Sequence, residues 1–284
     1  MRKLFLTAGL IFLLFACSNK VQKENIITVT IEPQRYFAEK IIDTIFRIEC
    51  MVPAGTSPET YDPTPAQMAK LARSKAYFCI GHIGFEEVWI EKLKQNYPHI
   101  PFFDNSEGIS LITGHSHTDG HCNEDGVDPH TWSSPKAARL IVQNMFEALV
   151  EINPANEILY NANLQILFEQ IDLIDEQITQ IIENTSQKAF IIYHPALTYF
   201  ARDYGLTQYC IEIDGKEPSP EQLKTLIETA KNEGIKTVFI QLEFDKKNAE
   251  LIAKETGCRL IVINPLSYDW GEEMLRIAQA LSDE

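Results

Sequence analysis

Short β-branched runs and stretches of helical period alternate along most of this chain. Ile26-Ile-Thr-Val-Thr-Ile31 is a continuous apolar run of the buried-strand type, ended by Glu32-Pro33. Over 36–46 the apolar residues Phe37, Ile41, Ile42 and Ile45 fall at helical spacing, and Ile48-Glu-Cys-Met-Val52 is a second strand closed by Pro53-Ala-Gly55. Pro65 opens a helix to residue 73, a third strand covers 76–80, and a helix over 85–94 bears Trp89. A fourth strand over 100–103 is interrupted by Pro101. Strands alternating with helices of this length predict βαβ units around parallel sheet, so the class is α/β. Such sheets bind ligands in the loops beyond the carboxyl ends of their strands.

Ser134 as N-cap and Pro135 at the first helical position predict a helix to about residue 152. Pro154 then opens the longest periodic segment, over 155–184. Its Leu164, Leu167, Ile171, Ile174, Ile178 and Ile182 recur at threes and fours. At 1.5 Å per residue such a helix spans about 45 Å, more than one small domain needs, so it is expected to be a strut. Beyond it the rhythm repeats, with strands over 189–193, 208–213, 237–242 and 257–263 and helices over 195–204, 220–232, 246–256 and 272–281. The expected division is an N-terminal lobe over 26–152, a linking helix over 153–186 and a C-terminal lobe over 187–284, the lobes facing each other across a cleft.

The N-terminus changes the picture of where the chain works. Met1-Arg2-Lys3 is basic, an apolar run follows to Phe15, and Ala16-Cys17 precedes a polar stretch. The run is too short to span a bilayer comfortably and has the form of a signal peptide. The small residue before Cys17 resembles the lipobox of bacterial lipoproteins, which implies a signal peptide over 1–16, acylation of Cys17 and a tether over 17–25. The formal net charge of −15 argues against nucleic acid or an anionic membrane surface as ligand and suits cationic partners. Cys50, Cys79, Cys122, Cys210 and Cys258 follow Cys17. Four of the five sit in apolar stretches, where a thiol behaves as a small hydrophobe, and no disulfide framework is expected.

Candidate chemistry is concentrated at a few loops. The segment from His115 to His130 holds four of the seven histidines together with Asp119, Cys122, Glu124, Asp125 and Asp128. Imidazole, thiol and carboxylate are the ligands of borderline divalent metals such as zinc. Four strand-end loops carry polar groups of the same kind: Glu59 and Asp62 in Gly55-Thr-Ser-Pro-Glu59-Thr-Tyr-Asp62-Pro, His130 in Asp128-Pro-His-Thr-Trp132, His194 in Tyr193-His-Pro195, and Asp269 after the last strand. Each has a structural explanation as a cap or turn residue. Their coincidence at strand ends in both halves is what points to a metal. No GxGxxG or Walker motif follows a strand, so nucleotide binding has no support.

These motifs resemble the cluster A-I metal-binding receptors of ABC importers, over almost all of the mature chain. Gly55-Thr-Ser-Pro-Glu-Thr-Tyr-Asp-Pro-Thr-Pro65, Asp128-Pro-His-Thr-Trp132, the stretch from Tyr193 to Leu206, and Asn264-Pro-Leu266 through Asp269 follow the family pattern. The resemblance implies two four-stranded parallel-sheet lobes joined by one long rigid helix. It also implies a metal site of Glu59, His130, His194 and Asp269. Glu59 departs from the family, which normally has histidine there, and Gln241 stands where glutamate is frequent. Two imidazoles favour Zn²⁺ as the transported ion, with Mn²⁺ or iron the alternatives. Family zinc receptors carry a His- and acid-rich loop at the place of 115–125. His115, His117, Asp119 and His121 are therefore expected to form an auxiliary, lower-affinity collector. The resemblance implies a monomeric, non-enzymatic receptor, lipid-anchored on the periplasmic or cell-surface face of a bacterial membrane, that delivers metal to an ABC permease. Two other readings are a metal-binding adhesin and a metal-dependent hydrolase. His115-x-His117-x-Asp119-Gly-His121 is similar to the HxHxDH run of metallo-β-lactamase-fold enzymes, but Gly120 breaks its spacing.

Overall fold

The computed structural model describes residues 25–114, 126–213 and 215–282. The first lobe is built from β1 (Ile26–Val29), α1 (Glu32–Ile42), β2 (Arg47–Cys50), α2 (Pro65–Leu71), β3 (Ser74–Cys79), α3 (Gly84–Asn96) and β4 (Phe102–Asp104). All four strands are parallel, in the order β2-β1-β3-β4. A two-residue antiparallel pair, β5 (Thr113–Gly114) and β6 (Gly126–Val127), flanks residues 115–125. Next come α4 (Pro135–Ile152) and α5 (Glu157–Glu183).

The second lobe contains β7 (Ala189–Ile192), α6 (Thr198–Tyr204), β8 (Thr207–Cys210), α7 (Pro220–Glu233), β9 (Thr237–Gln241), α8 (Lys247–Thr256), β10 (Arg259–Ile263) and α9 (Trp270–Leu281). Its sheet is again all parallel, in the order β8-β7-β9-β10, which repeats the first lobe strand for strand.

The 27-residue α5, about 40 Å long by its rise, links the lobes. Its buried face is Tyr160, Leu164, Leu167, Ile171, Ile178 and Ile182, the three-and-four spacing that lines one side of a helix. This stripe packs within one apolar core that also takes in Phe37 and Ile41 of α1, Ile141 and Met145 of α4, and Met274 and Ile277 of α9. This core is shared by both lobes and the strut.

Local differences from the sequence expectations have physical causes. α1 begins at Glu32 rather than residue 36, because Pro33 lies in its first turn, where no backbone N–H is needed. β10 begins at Arg259 rather than 257, because Gly257, with φ +75°, is the left-handed cap that ends α8. Disulfide bonding is a correction. Cys50, Cys79 and Cys258 are free thiols, but Cys210 is disulfide-bonded. An apolar strand end suits a half-cystine as well as a thiol, so the local pattern does not distinguish them.

Candidate metal centre

The loops after β2 and β7, at the carboxyl edges of the two sheets, converge between the lobes with the segment that follows β6. The first follows β2 and is held to the start of α3: Phe85 N donates to Pro58 O at 2.9 Å, and Gly84 N donates to Glu59 Oε2 at 3.0 Å. The other oxygen, Glu59 Oε1, is buried and takes no hydrogen bond. The approach requires glycine at 84, where a Cβ would lie 2.5 Å from Glu59 Oε2 and 2.9 Å from its carbonyl oxygen. Asp62 is turned away and accepts from Trp89 Nε1 at 3.2 Å.

The second loop carries His130, 3 % exposed, just before a 3-10 turn over Thr131–Ser133. Both its backbone N and its Nδ1 lie 2.9 Å from Asp128 Oδ1. Burial alone would raise the Asp128 carboxyl. The His130 ring and its two hydrogen bonds outweigh burial, so the carboxyl lies below its ordinary value.

The third loop carries His194, two residues beyond β7 and 7 % exposed. Gln241 at the end of β9 clamps its backbone, accepting from His194 N at 3.3 Å and donating to His194 O at 2.7 Å. A carboxamide makes both bonds where an ionised carboxylate could only accept, which accounts for glutamine rather than glutamate at 241. The His194 ring stacks on Phe244 at 5.4 Å between centroids. Its Nδ1 lies 3.4 Å from Glu212 Oε2, within ion-pair range but not aligned as a hydrogen bond. Sequence reasoning missed Glu212, although its position two residues beyond β8 was the same strand-end signal.

With each Nδ1 facing a carboxylate, the favoured tautomers turn the Nε2 lone pairs toward the cleft. Those atoms face each other across the cleft at 3.2 Å. Two acceptors at that distance repel unless a proton or cation lies between them. Two imidazoles on a tetrahedral zinc, with bonds near 2.0–2.1 Å, stand about 3.3 Å apart. One ligand atom each from Glu59, His130 and His194 lie within 4.8 Å of one another. The cavity they line is about 20 Å³, room for one ion or water, and it is walled by Trp132, Gln241, Glu243, Phe244, Pro265 and Leu266. Burial pushes the Glu243 carboxyl up while the His194 and His130 rings draw it back.

Asp269 is not brought into this group. It stands exposed at the start of α9, near enough to Tyr36 and Tyr268 for its charge to act on both phenols. Its neighbour Trp270 is buried, and successive helical residues point about 100° apart. His115, His117, Asp119, His121 and Cys17 lie outside the described residues.

Two α/β lobes on a shared helix, closing on imidazoles and carboxylates around an ion-sized cavity, define a metal-ion receptor. The family model described as ZnuA, zinc-uptake complex component A, periplasmic, matches residues 27–281, and the chain belongs to that family. It is 29 % identical over 288 residues, covering both chains fully, to a Chlamydia trachomatis serovar D protein provisionally named as metal-binding. It is 28 % identical over 283 residues to the zinc-binding lipoprotein AdcA of Streptococcus pneumoniae serotype 4, spanning 94 % of this chain and 56 % of that one. A crystal structure of a ZnuA deletion mutant with zinc bound superposes with a TM-score of 0.84 at 36 % identity, covering 92 % of this chain and 99 % of the other.

Proposed function

We propose that the protein captures one Zn²⁺ between its lobes through Glu59, His130 and His194 and hands it to an ABC permease outside the cytoplasm. No bond is made or broken. The observation that carries this reading is the pair of opposed Nε2 atoms at 3.2 Å, each imidazole held from behind by an acid. The acids fix the ring orientation and strengthen the donor nitrogens, as outer-shell carboxylates do in zinc sites. The lobes, divided as 26–152 and 187–284, move little on loading, because α5 and its core join them. Cys17 bears the lipid anchor, the receptor works as a monomer, and 115–125 collects metal at lower affinity. The AdcA relative named as a lipoprotein supports the anchor.

Competition titration of Zn²⁺ and Mn²⁺ against a chelator tests the site. His130→Ala and His194→Ala should each weaken zinc by about tenfold or more, and zinc should exceed manganese in the unaltered protein. Unchanged zinc affinity in both variants overturns the assignment, and manganese binding tighter than zinc overturns the choice of ion.

A further inference from the structure

We propose that the outward side of α5 is a docking surface for a helix of another protein, one that presents apolar residues together with lysine or arginine. The inner stripe of α5 lies in the shared core. A helix with one buried face normally presents polar residues on the other. Here the outward side carries Leu159, Ile166 and Leu173 at intervals of seven, and they are 40, 55 and 54 % exposed. Seven residues make about two turns, so the three side chains form one line about 21 Å long. Ala162, Glu169 and Glu176 follow them at intervals of three, and all are exposed. This is the spacing of the alternating contact positions in a two-helix seam.

The charge along the line says what can cover it. α5 has six acidic residues and no basic one. Arg139 reaches it from α4, but is paired with Asp172 at 2.7 Å and stacked over Phe168, to one side of the line. Glu176 accepts a hydrogen bond from the neutral Gln180. A second copy of the chain fits poorly. Parallel pairing would set Glu169 and Glu176 against their own counterparts, and antiparallel pairing would set them against Ile166 and Leu173. Either arrangement buries carboxylates without a cation. An anionic lipid surface is repelled by the same charges. A helix whose apolar residues meet the line while its ammonium or guanidinium groups reach the two glutamates meets both demands.

The test uses the full chain and two designed helical peptides about three heptads long. Both have leucine facing the apolar line, and they have either lysine or glutamate facing Glu169 and Glu176. By fluorescence anisotropy, the lysine peptide should bind about tenfold or more tighter than the glutamate peptide. Ile166→Gln combined with Leu173→Gln should weaken it by a similar factor, and Glu169→Lys combined with Glu176→Lys should reverse the preference. Zinc affinity and far-ultraviolet circular dichroism should stay unchanged in both variants. Glu250→Lys combined with Glu255→Lys, on the exposed side of α8, makes the same change in net charge and should leave the preference in place. If it removes the preference as fully as the α5 change does, the attraction is general and the proposal falls. Binding of neither peptide, or equal binding of both, overturns it as well. A dimer in sedimentation that dissociates in the Ile166→Gln, Leu173→Gln variant gives the surface to a second copy and overturns it. Capture on phosphatidylcholine vesicles that is weakened in that variant gives the surface to lipid and does the same.

Discussion

Trp270 and Trp132 join the two lobes directly behind the histidines. The Trp270 indole donates to the Trp132 carbonyl at 2.7 Å, and the Trp132 indole donates to Pro265 O at 2.9 Å, so each lobe completes the other's turn. Both rings are 1 % exposed, and the Trp132 ring lies 5.3 Å from that of His130. The contact therefore couples the position of the lobes to the His130 ring.

Trp270→Phe keeps most of the ring but leaves the Trp132 carbonyl buried without its donor. The expected loss is about 1–3 kcal/mol of stability, read from the denaturant midpoint, accompanied by weaker zinc binding as the His130 turn loosens. Wild-type behaviour in both measurements would show that the bridge positions nothing.

Gly84→Ala tests the seat of Glu59 without touching a ligand. The new Cβ meets Glu59 Oε2, its carbonyl oxygen and its Cα, at 2.5, 2.9 and 3.0 Å. The two backbone atoms cannot yield as a flexible side chain does, so Glu59 must move. Zinc affinity should fall by about tenfold, the scale of an outer-shell change, with far-ultraviolet circular dichroism unchanged. Undiminished affinity would mean that Glu59 does not need its present position.

Glu212→Gln and Asp128→Asn remove the acids behind the two histidines. Zinc affinity should drop by about 10–100-fold in each. The Asp128 change should be the larger, because its bond to His130 is already formed at 2.9 Å whereas Glu212 lies 3.4 Å from His194. Isothermal titration after chelator treatment provides the comparison, and the reverse ranking would contradict it.

Glu86 imposes a pH dependence separate from the metal site. Its carboxyl is fully buried beneath the ends of β1 and β3, where it accepts from Thr30 Oγ1, from Ile80 N at 2.8 Å and from Gly81 N at 2.8 Å. Burial, partly offset by these bonds, pushes it from 4.5 to about 7. The native state therefore holds a proton that the unfolded chain has already lost. This stabilisation is complete below pH 4.5 and fades as pH rises through about 7, and a shift of this size is worth roughly 3 kcal/mol. Thermal melts of metal-free protein between pH 5 and 8 should show this decline superimposed on other titrations. Glu86→Gln should lower stability, because its NH₂ faces a backbone donor, and should flatten the decline. An identical pH slope in the variant would refute the assignment.

Much of the architecture is legible in the sequence, because it depends on local periodicity. The β-branched runs at Ile26 and Ala189, and the three-and-four spacing from Tyr160 to Ile182, describe which faces are apolar, and burial of those faces leaves few alternatives. The His194 loop is legible for a related reason: parallel strands bring their carboxyl ends to one edge, and His194 follows β7 at that edge.

The direction of each strand-end side chain is a different matter. Asp269 and Glu243 both follow strands of the second sheet, and nothing local distinguishes an acid that faces the cavity from one that faces solvent. Trp270, packed into the shared core, fixes the turn that carries the first, and the Gln241 and Phe244 contacts with His194 hold the segment of the second beside the cavity. Glu212 likewise gains its meaning from a ring eighteen residues earlier in sequence that only the β7–β8 pairing brings alongside. The sequence by itself determined the repeating α/β lobes, the strut and the edge where imidazoles gather. Only the tertiary structure decided which carboxylates share that edge with them, because that choice is made by side-chain packing between segments far apart in the chain.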